Sequence, residues 1–158
     1  MTVEAPPAMR AHDHDACISR VLDEAEAAAD RSGARFTPVR RRVLEILLES
    51  HVALGAYDIL KRLGAEGFGD KPPVAYRALD FLVEQGFAHR IESLNAFVAC
   101  MHPAEGHDPA FMICRNCRAV AETIAGDGPI AEDAAEIGFK IETTVVEAEG
   151  LCPKCQIK

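Results

Sequence analysis

The chain has 158 residues, 49% of them hydrophobic and 27% charged, with a formal net charge of -8. That is the composition of one ordinary or two small globular units and excludes a disordered polymer. No run of about 18 apolar residues occurs, which excludes a membrane-spanning helix. The opening stretch MTVEAPPAMRAHDHDAC lacks the apolar core of a secretory leader, so a cytoplasmic location is expected. In that compartment six cysteines favour thiolate–metal chemistry or free thiols over a disulfide framework. The acidic total conceals a basic segment. Residues 31–90 carry 10 basic and 7 acidic groups, including RFTPVRRR at 35–42, between two acidic flanks. Net charge therefore does not exclude nucleic acid, because one face makes such a contact.

Residues 1–15 read as a flexible N-terminus. The stretch HDHDAC at 12–17 could bind metal, but a flexible His/Asp terminus is the plainer reading. Over 16–32, Ile18, Val21, Leu22 and Ala25 recur at helical spacing, and Gly33 suits the stop. Thr37 followed by Pro38 is an N-cap with proline in the first turn. The helix it opens buries Val39, Val43, Leu44, Leu47 and Leu48, with Arg40, Arg41 and Arg42 around its other faces. His51 beyond it reads as structural or exposed. GAYDILKRLGAEG is a short helix ended by Gly64 or Gly67. DKPPVAYRALDFLVEQGF opens with two prolines, repeats Val74, Leu79, Leu82 and Val83, and stops at Gly86. AHRIES and AFVAC then alternate around Leu94–Asn95 as a hairpin.

Helices in close succession and then a hairpin match a winged helix-turn-helix over 16–99, the last helix being the recognition helix. A helical bundle carrying a hairpin fits the same pattern. MHPAEGHDPA (101–110) is polar, and residues 100–110 read as a hinge. Beyond it FMIC, RAVAETI and KIETTVVEAEG are rich in strand formers, PIAEDAAEIGF is helical, and CPKC closes the chain. The expected fold class is α+β: a winged helix-turn-helix domain, then a small α/β domain over 111–158 with a four-cysteine zinc site, the part to which the family resemblance given below assigns dimerisation.

Two Cys-x-x-Cys knuckles carry the chemistry. Cys114 and Cys117, with Cys152 and Cys155, supply the four thiolates of a tetrahedral structural zinc site. The gap between them exceeds that of a compact zinc ribbon, and a strand–helix–strand insertion can close it. Singly, each pair could also be buried or redox thiols. Four further ligand types lie near the domain junction: His89, Cys100, His107 and Glu122. One thiolate, two imidazoles and a carboxylate suit Zn2+ better than Fe2+ because of the sulfur. Taken one at a time they could equally be a surface histidine, a core thiol, a loop histidine and a solvated carboxylate. His102 could join an auxiliary site.

FTPVRRRVLEIL, AYDILKRL, KPPVAYRALDFLVEQGFAHRIES, FVACMHPAEGH, FMICRNCRAVAE and EAEGLCPKC together make the chain resemble the Fur superfamily of bacterial metal-dependent repressors, most closely its zinc-uptake-regulator branch. The resemblance runs from about residue 17 to near the end. It implies a regulatory zinc at His89, Cys100, His107 and Glu122 and a structural zinc at the paired cysteines, two ions per subunit. CMHPAEGHDPAF stands where the iron-sensing branch carries a His-rich segment, which favours zinc. Three departures stand out: Val39 after Thr37-Pro38, Val74-Ala75 before Tyr76-Arg77, and Arg118 where glycine usually follows the knuckle.

The function implied is a zinc-responsive repressor that binds double-stranded operator DNA as a homodimer and represses zinc uptake genes. Tyr76 and Arg77 belong on the DNA face by this resemblance and by their place early in the recognition helix. Tyr57, Arg40 and Arg41 are candidate phosphate contacts, and the IETTVVEA strand offers an edge for dimerisation. An iron or peroxide sensor on the same scaffold is the alternative. A zinc deaminase is disfavoured because no His-x-Glu occurs and Ile113, not proline, precedes Cys114. A thiol-redox protein would hold no zinc.

Overall fold

The computed structural model describes residues 6–103 and 105–157; residues 1–5 of the expected flexible terminus lie outside that range. The described chain folds as two packed units. The first begins with α1 (His14–Ser32), which starts two residues earlier than its apolar pattern because the Asp13 carboxylate accepts the Ala16 N–H at 3.0 Å. Gly33 closes it at φ 72, a left-handed conformation that costs glycine nothing. α2 (Pro38–Leu48) opens as expected, with Thr37 Oγ1 accepting the Arg40 N–H at 3.4 Å. α3 (Ala56–Ala65) and α4 (Pro72–Glu84) follow. Strands β1 (Ala88–Ile91) and β2 (Ala96–Ala99) pair antiparallel from Ala88 opposite Ala99 to Ile91 opposite Ala96. A 3-10 turn over Glu92–Leu94 and Asn95 at φ 46 make the tip; asparagine tolerates that region better than most side chains.

Val43, Leu44, Ile46, Leu47, Ile59, Leu63, Leu79, Leu82 and Phe87 fill the core of this unit, with Val21, Ala25 and Ala29 of α1 sealing one side. Phe36, Phe81 and Phe87 cluster with centroids 5.9–6.3 Å apart, a spacing at which edge-to-face rings attract. Two apolar positions depart from the periodic reading: Val39 is only partly buried, and Val83 is 38% exposed. Ile46 is fully buried instead, because β2 packs on that side of α2.

The second unit is a three-stranded sheet in the order β4-β3-β5, where β3 is Pro109–Cys114, β4 is Val120–Ile124 and β5 is Val146–Gly150. β4 is antiparallel to β3 and β5 is parallel to it. The parallel pairing demands a crossover, which α5 (Pro129–Ile137) occupies. A short α6 (Pro153–Gln156) ends the unit. Strand propensity runs through 140–150, yet only 146–150 pair. Residues 140–145 have no strand beside them in this chain, and extended backbone is held by its neighbour.

The two units share a small core of their own. Ile91 and Val98 of the hairpin meet Phe111, Ile113 and Val120 of the sheet. The Val120 N–H donates to the His51 carbonyl at 2.7 Å. The Glu147 carboxylate of β5 accepts the N–H groups of Glu92 and Ser93 at 2.6 and 3.1 Å. Residues 6–13, read from sequence as flexible, include a 3-10 turn (Pro7–Met9) set against β4. Among the described residues, no helix is long and apolar enough to cross a membrane.

Arg118 sits at φ 66, a conformation that costs a side-chain-bearing residue about 1–2 kcal/mol. Arg118→Gly is expected to raise unfolding stability by up to about 1 kcal/mol, the gain being offset in part by the greater freedom of the unfolded glycine. Denaturant unfolding of the zinc-loaded protein measures it, and a lower midpoint would refute the strain.

Candidate metal centres

Sheet register explains how distant knuckles meet. Cys114 ends β3 opposite Gly150 of the parallel strand β5, so both chains leave the same end of the sheet, and the Arg115 N–H closes on the Gly150 carbonyl at 2.9 Å. Cys152 follows two residues later. The sulfurs of Cys114, Cys117, Cys152 and Cys155 all lie within 4.8 Å of one another. Cys117 and Cys152 are 3.7 Å apart, against roughly 3.8 Å for two sulfurs on a zinc tetrahedron. The Cys152 N–H donates to Cys114 Sγ at 3.4 Å, and the Asn116 amide to Cys155 Sγ at 3.3 Å. N–H groups from Cys152 and Cys117 draw the Cys114 thiol down to about 6. At Cys117 the Ala119 N–H also pulls downward, but the neighbouring sulfurs and burial win and push it up to about 11. Backbone N–H donors lower the first and crowding by neighbouring sulfurs raises the second, and a cation among four sulfur donors would relieve that crowding. The set therefore fits Zn2+.

The second quartet spans the joint between the units. His89 lies on β1, Cys100 just past β2, His107 in the connecting loop and Glu122 on β4; their ligand atoms also fall within 4.8 Å of one another. Glu122 Oε1 is 3.1 Å from His89 Nε2, 2.5 Å from His107 Nε2 and 3.6 Å from Cys100 Sγ. The Met101 N–H donates to the other oxygen at 2.9 Å. His107 Nδ1 is 2.7 Å from the Glu105 carbonyl. A carbonyl only accepts, so Nδ1 carries a hydrogen, and in the neutral ring Nε2 presents its lone pair to the carboxylate. Two acceptors at such a distance need a proton or a cation between them. Burial disfavours ionised Glu122, but His89, the Met101 N–H and His107 outweigh it and hold the carboxyl down to about 2. For His107, burial works against charge, while the Glu105 carbonyl and Glu122 prevail and raise it. Burial, with the Glu122 charge, pushes the Cys100 thiol up. The donors suit a borderline cation such as Zn2+. His102 gives Cys100 Sγ its backbone N–H at 3.4 Å rather than its ring.

A third cluster takes up the HDHDAC stretch, which the sequence offers as a possible metal ligand run beside the plainer reading of a flexible terminus, and adds His51, which reads as structural or exposed. His12, His14, Cys17 and His51 also bring their ligand atoms within 4.8 Å of one another, all half-buried. Burial, with His14 and His12 alongside, lowers His51 to about 4. The His-x-His-x-x-Cys spacing was the available signal; nothing local pointed to His51.

The candidate DNA contacts divide by environment. Tyr57, opening α3, is 78% exposed and Tyr76, in α4, is 53% exposed. Arg77 is exposed beside it. Arg40 lays its guanidinium over the Phe81 ring, 3.8 Å from the centroid. Arg41 pairs with Glu26 and Glu45. Arg42 pairs with Glu45, Glu49 and Glu66, and its charged form is strongly favoured, chiefly by the Glu66 hydrogen bond.

A helical unit with a hairpin, a small sheet and two ligand quartets, one across their joint, define a metal-binding α+β protein. No protein-family model matches the chain. It is 41% identical over 138 residues to the zinc uptake regulation protein of Escherichia coli (strain K12), a match covering 85% of this chain and 81% of that protein. It resembles the solved structure of a zinc uptake regulator complexed with zinc and DNA, with TM-score 0.79, 39% identity, and coverage of 88% and 95% of the two chains. Holo XcZur gives TM-score 0.79 at 36% identity, covering 89% and 99%, whereas apo XcZur, at 34% identity over the same shares, gives 0.52. The chain belongs to the zinc uptake regulator (Zur) family of the Fur superfamily.

Replacing Glu122 by alanine removes the group that every other member of the junction quartet faces. Zinc affinity at that site is expected to fall by more than about 100-fold, beyond the 10–100-fold typical of losing a supporting partner, while the zinc of the four-cysteine site stays bound. Competition with a chromophoric chelator measures both. Equal affinity in variant and parent would exclude Glu122 as a ligand.

Proposed function

We propose that the chain is a zinc-responsive transcriptional repressor. It binds double-stranded operator DNA as a homodimer in the cytoplasm and represses zinc uptake genes. Each subunit holds a structural zinc at Cys114, Cys117, Cys152 and Cys155 and a regulatory zinc at His89, Cys100, His107 and Glu122. The observation that carries this reading is the convergence of His89, from the hairpin, and Glu122, from the sheet, on one point at the joint. The closer likeness to a zinc-loaded relative than to its zinc-free form supports it.

A bound Zn2+ supplies a positive centre that lets the four donors crowd together unprotonated. His89 is then drawn toward Glu122, and the hairpin with it, so the angle between the helical unit and the sheet is held. In a dimer that angle sets the spacing of two α4 helices, and successive major grooves lie about 34 Å apart. Only one spacing fits. Arg77 and Tyr76 on α4 face the groove and Tyr57 approaches a phosphate. Arg40 and Arg41 add positive field, although stacking on Phe81 and pairing with Glu26 and Glu45 restrain their reach.

The dimer forms through the second unit. β5 is a sheet edge, residues 140–145 are unpaired, and Ile137, Phe139, Val145 and Val146 are 41–79% exposed. A two-fold copy would pair that edge and cover those side chains. The protein is a regulator and not an enzyme: four protein ligands leave a zinc ion no open position for water or substrate.

Zinc and operator must each tighten the other by the same factor. Zinc affinity of the junction site is expected to rise on adding operator DNA, and equal values with and without it would overturn the switch. Arg77→Ala is expected to weaken operator binding by about 1–3 kcal/mol without altering zinc content; unchanged binding in a mobility-shift titration would remove Arg77 from the interface.

A further inference from the structure

We propose that His12, His14, Cys17 and His51 form a third zinc site, which fastens the N-terminal segment to the loop between α2 and α3. It is additional to the two sites of the proposed repressor and stands on its own geometry. The outward nitrogens of two rings reach backbone carbonyls: His12 Nδ1 lies 3.3 Å from the Arg10 carbonyl, and His14 Nε2 lies 2.9 Å from the Glu49 carbonyl. A carbonyl only accepts, so these nitrogens carry the hydrogens. In the neutral rings the inward nitrogens, His12 Nε2 and His14 Nδ1, are left with lone pairs, and they face each other at 3.3 Å. His51 Nε2 faces His12 Nε2 at 3.1 Å.

Lone pairs aimed at lone pairs repel. The arrangement makes chemical sense when a cation sits among them, and adjacent nitrogens on a zinc tetrahedron are separated by roughly 3.3 Å. The outward N–H to a backbone carbonyl is also the usual way a protein fixes the tautomer of a ligand histidine. Cys17 Sγ supplies the fourth donor, one turn along α1. Three imidazoles and one thiolate form a closed borderline set, which selects zinc over magnesium, calcium or manganese.

The site reaches beyond the N-terminus. The His51 carbonyl accepts the Val120 N–H, two residues before Glu122 on the same strand. A cavity of about 550 Å3 runs between the two clusters and is lined by His12, Cys17, His107 and Glu122. A third ion thus ties α1 and the α2–α3 loop to the sheet beside the junction site, on the side of the helical unit that leads into Tyr57.

Native mass spectrometry of the full chain, after dialysis against buffer containing micromolar zinc, is the test. The expected result is three zinc ions per subunit in the parent and two in the His14→Ala, Cys17→Ser double variant. Two ions in the parent, or three in both proteins, would overturn the site. Cobalt substitution gives a second reading that needs only one mild change. The third equivalent of Co2+ is expected to add tetrahedral d–d bands and a thiolate charge-transfer band, and Cys17→Ser is expected to abolish that increment of charge transfer. An unchanged increment would overturn the assignment. Operator binding is measured separately. Zinc-dependent binding by a two-zinc chain would remove only this site, whereas a three-zinc chain indifferent to DNA would remove only the repressor reading.

Discussion

Everything in this molecule turns on lone pairs brought closer than they tolerate alone. Glu122 Oε1 faces two imidazole nitrogens and a thiol, and at least one of those nitrogens has its hydrogen committed elsewhere. Such a cluster is tolerated with protons or with a metal ion and is strained with neither. Because its members come from both units, whatever satisfies it also sets how the units sit. The hydrophobic contacts at the joint are modest, five buried side chains, joined by the Glu147 and Val120 hydrogen bonds.

The four-cysteine quartet does a different job with related chemistry. Its sulfurs come from the two ends of one sheet unit that has a small core, mainly Phe111, Ile113, Val120 and Ala121. A metal there contributes to folding directly. The junction quartet instead draws one donor from the hairpin, His89, and one from the sheet, Glu122, beside the small core that the two units share. Each quartet offers four protein donors, the number that a structural zinc site takes. The exposed apolar residues of α5 and the segment after it complete this division of labour: the unit stapled by cysteines also carries the surface with most to gain from a second copy.

Local signals placed most elements well. Thr37, Pro38, Pro72, Gly33 and Gly86 mark helix ends through backbone rules that hold irrespective of neighbours. The reading failed where a partner decides the outcome. Residues 140–145 have strand formers but no adjacent strand. Ile46 is buried by a hairpin strand far along the chain.

The donor types of the candidate ligands, and their spacing within each motif, were a property of the sequence by itself. Two Cys-x-x-Cys pairs carry their chemistry in their spacing, and the motif run from Lys71 to Ser93 carries the family. Tertiary structure alone decided which distant groups meet. Parallel pairing of β3 with β5 delivers Cys152 to Cys114. The packing of α1 beside the α2–α3 loop delivers His51 to His12, His14 and Cys17. Spacing along a chain specifies neighbours only within a turn or a strand; beyond that, the burial of side chains elsewhere chooses them.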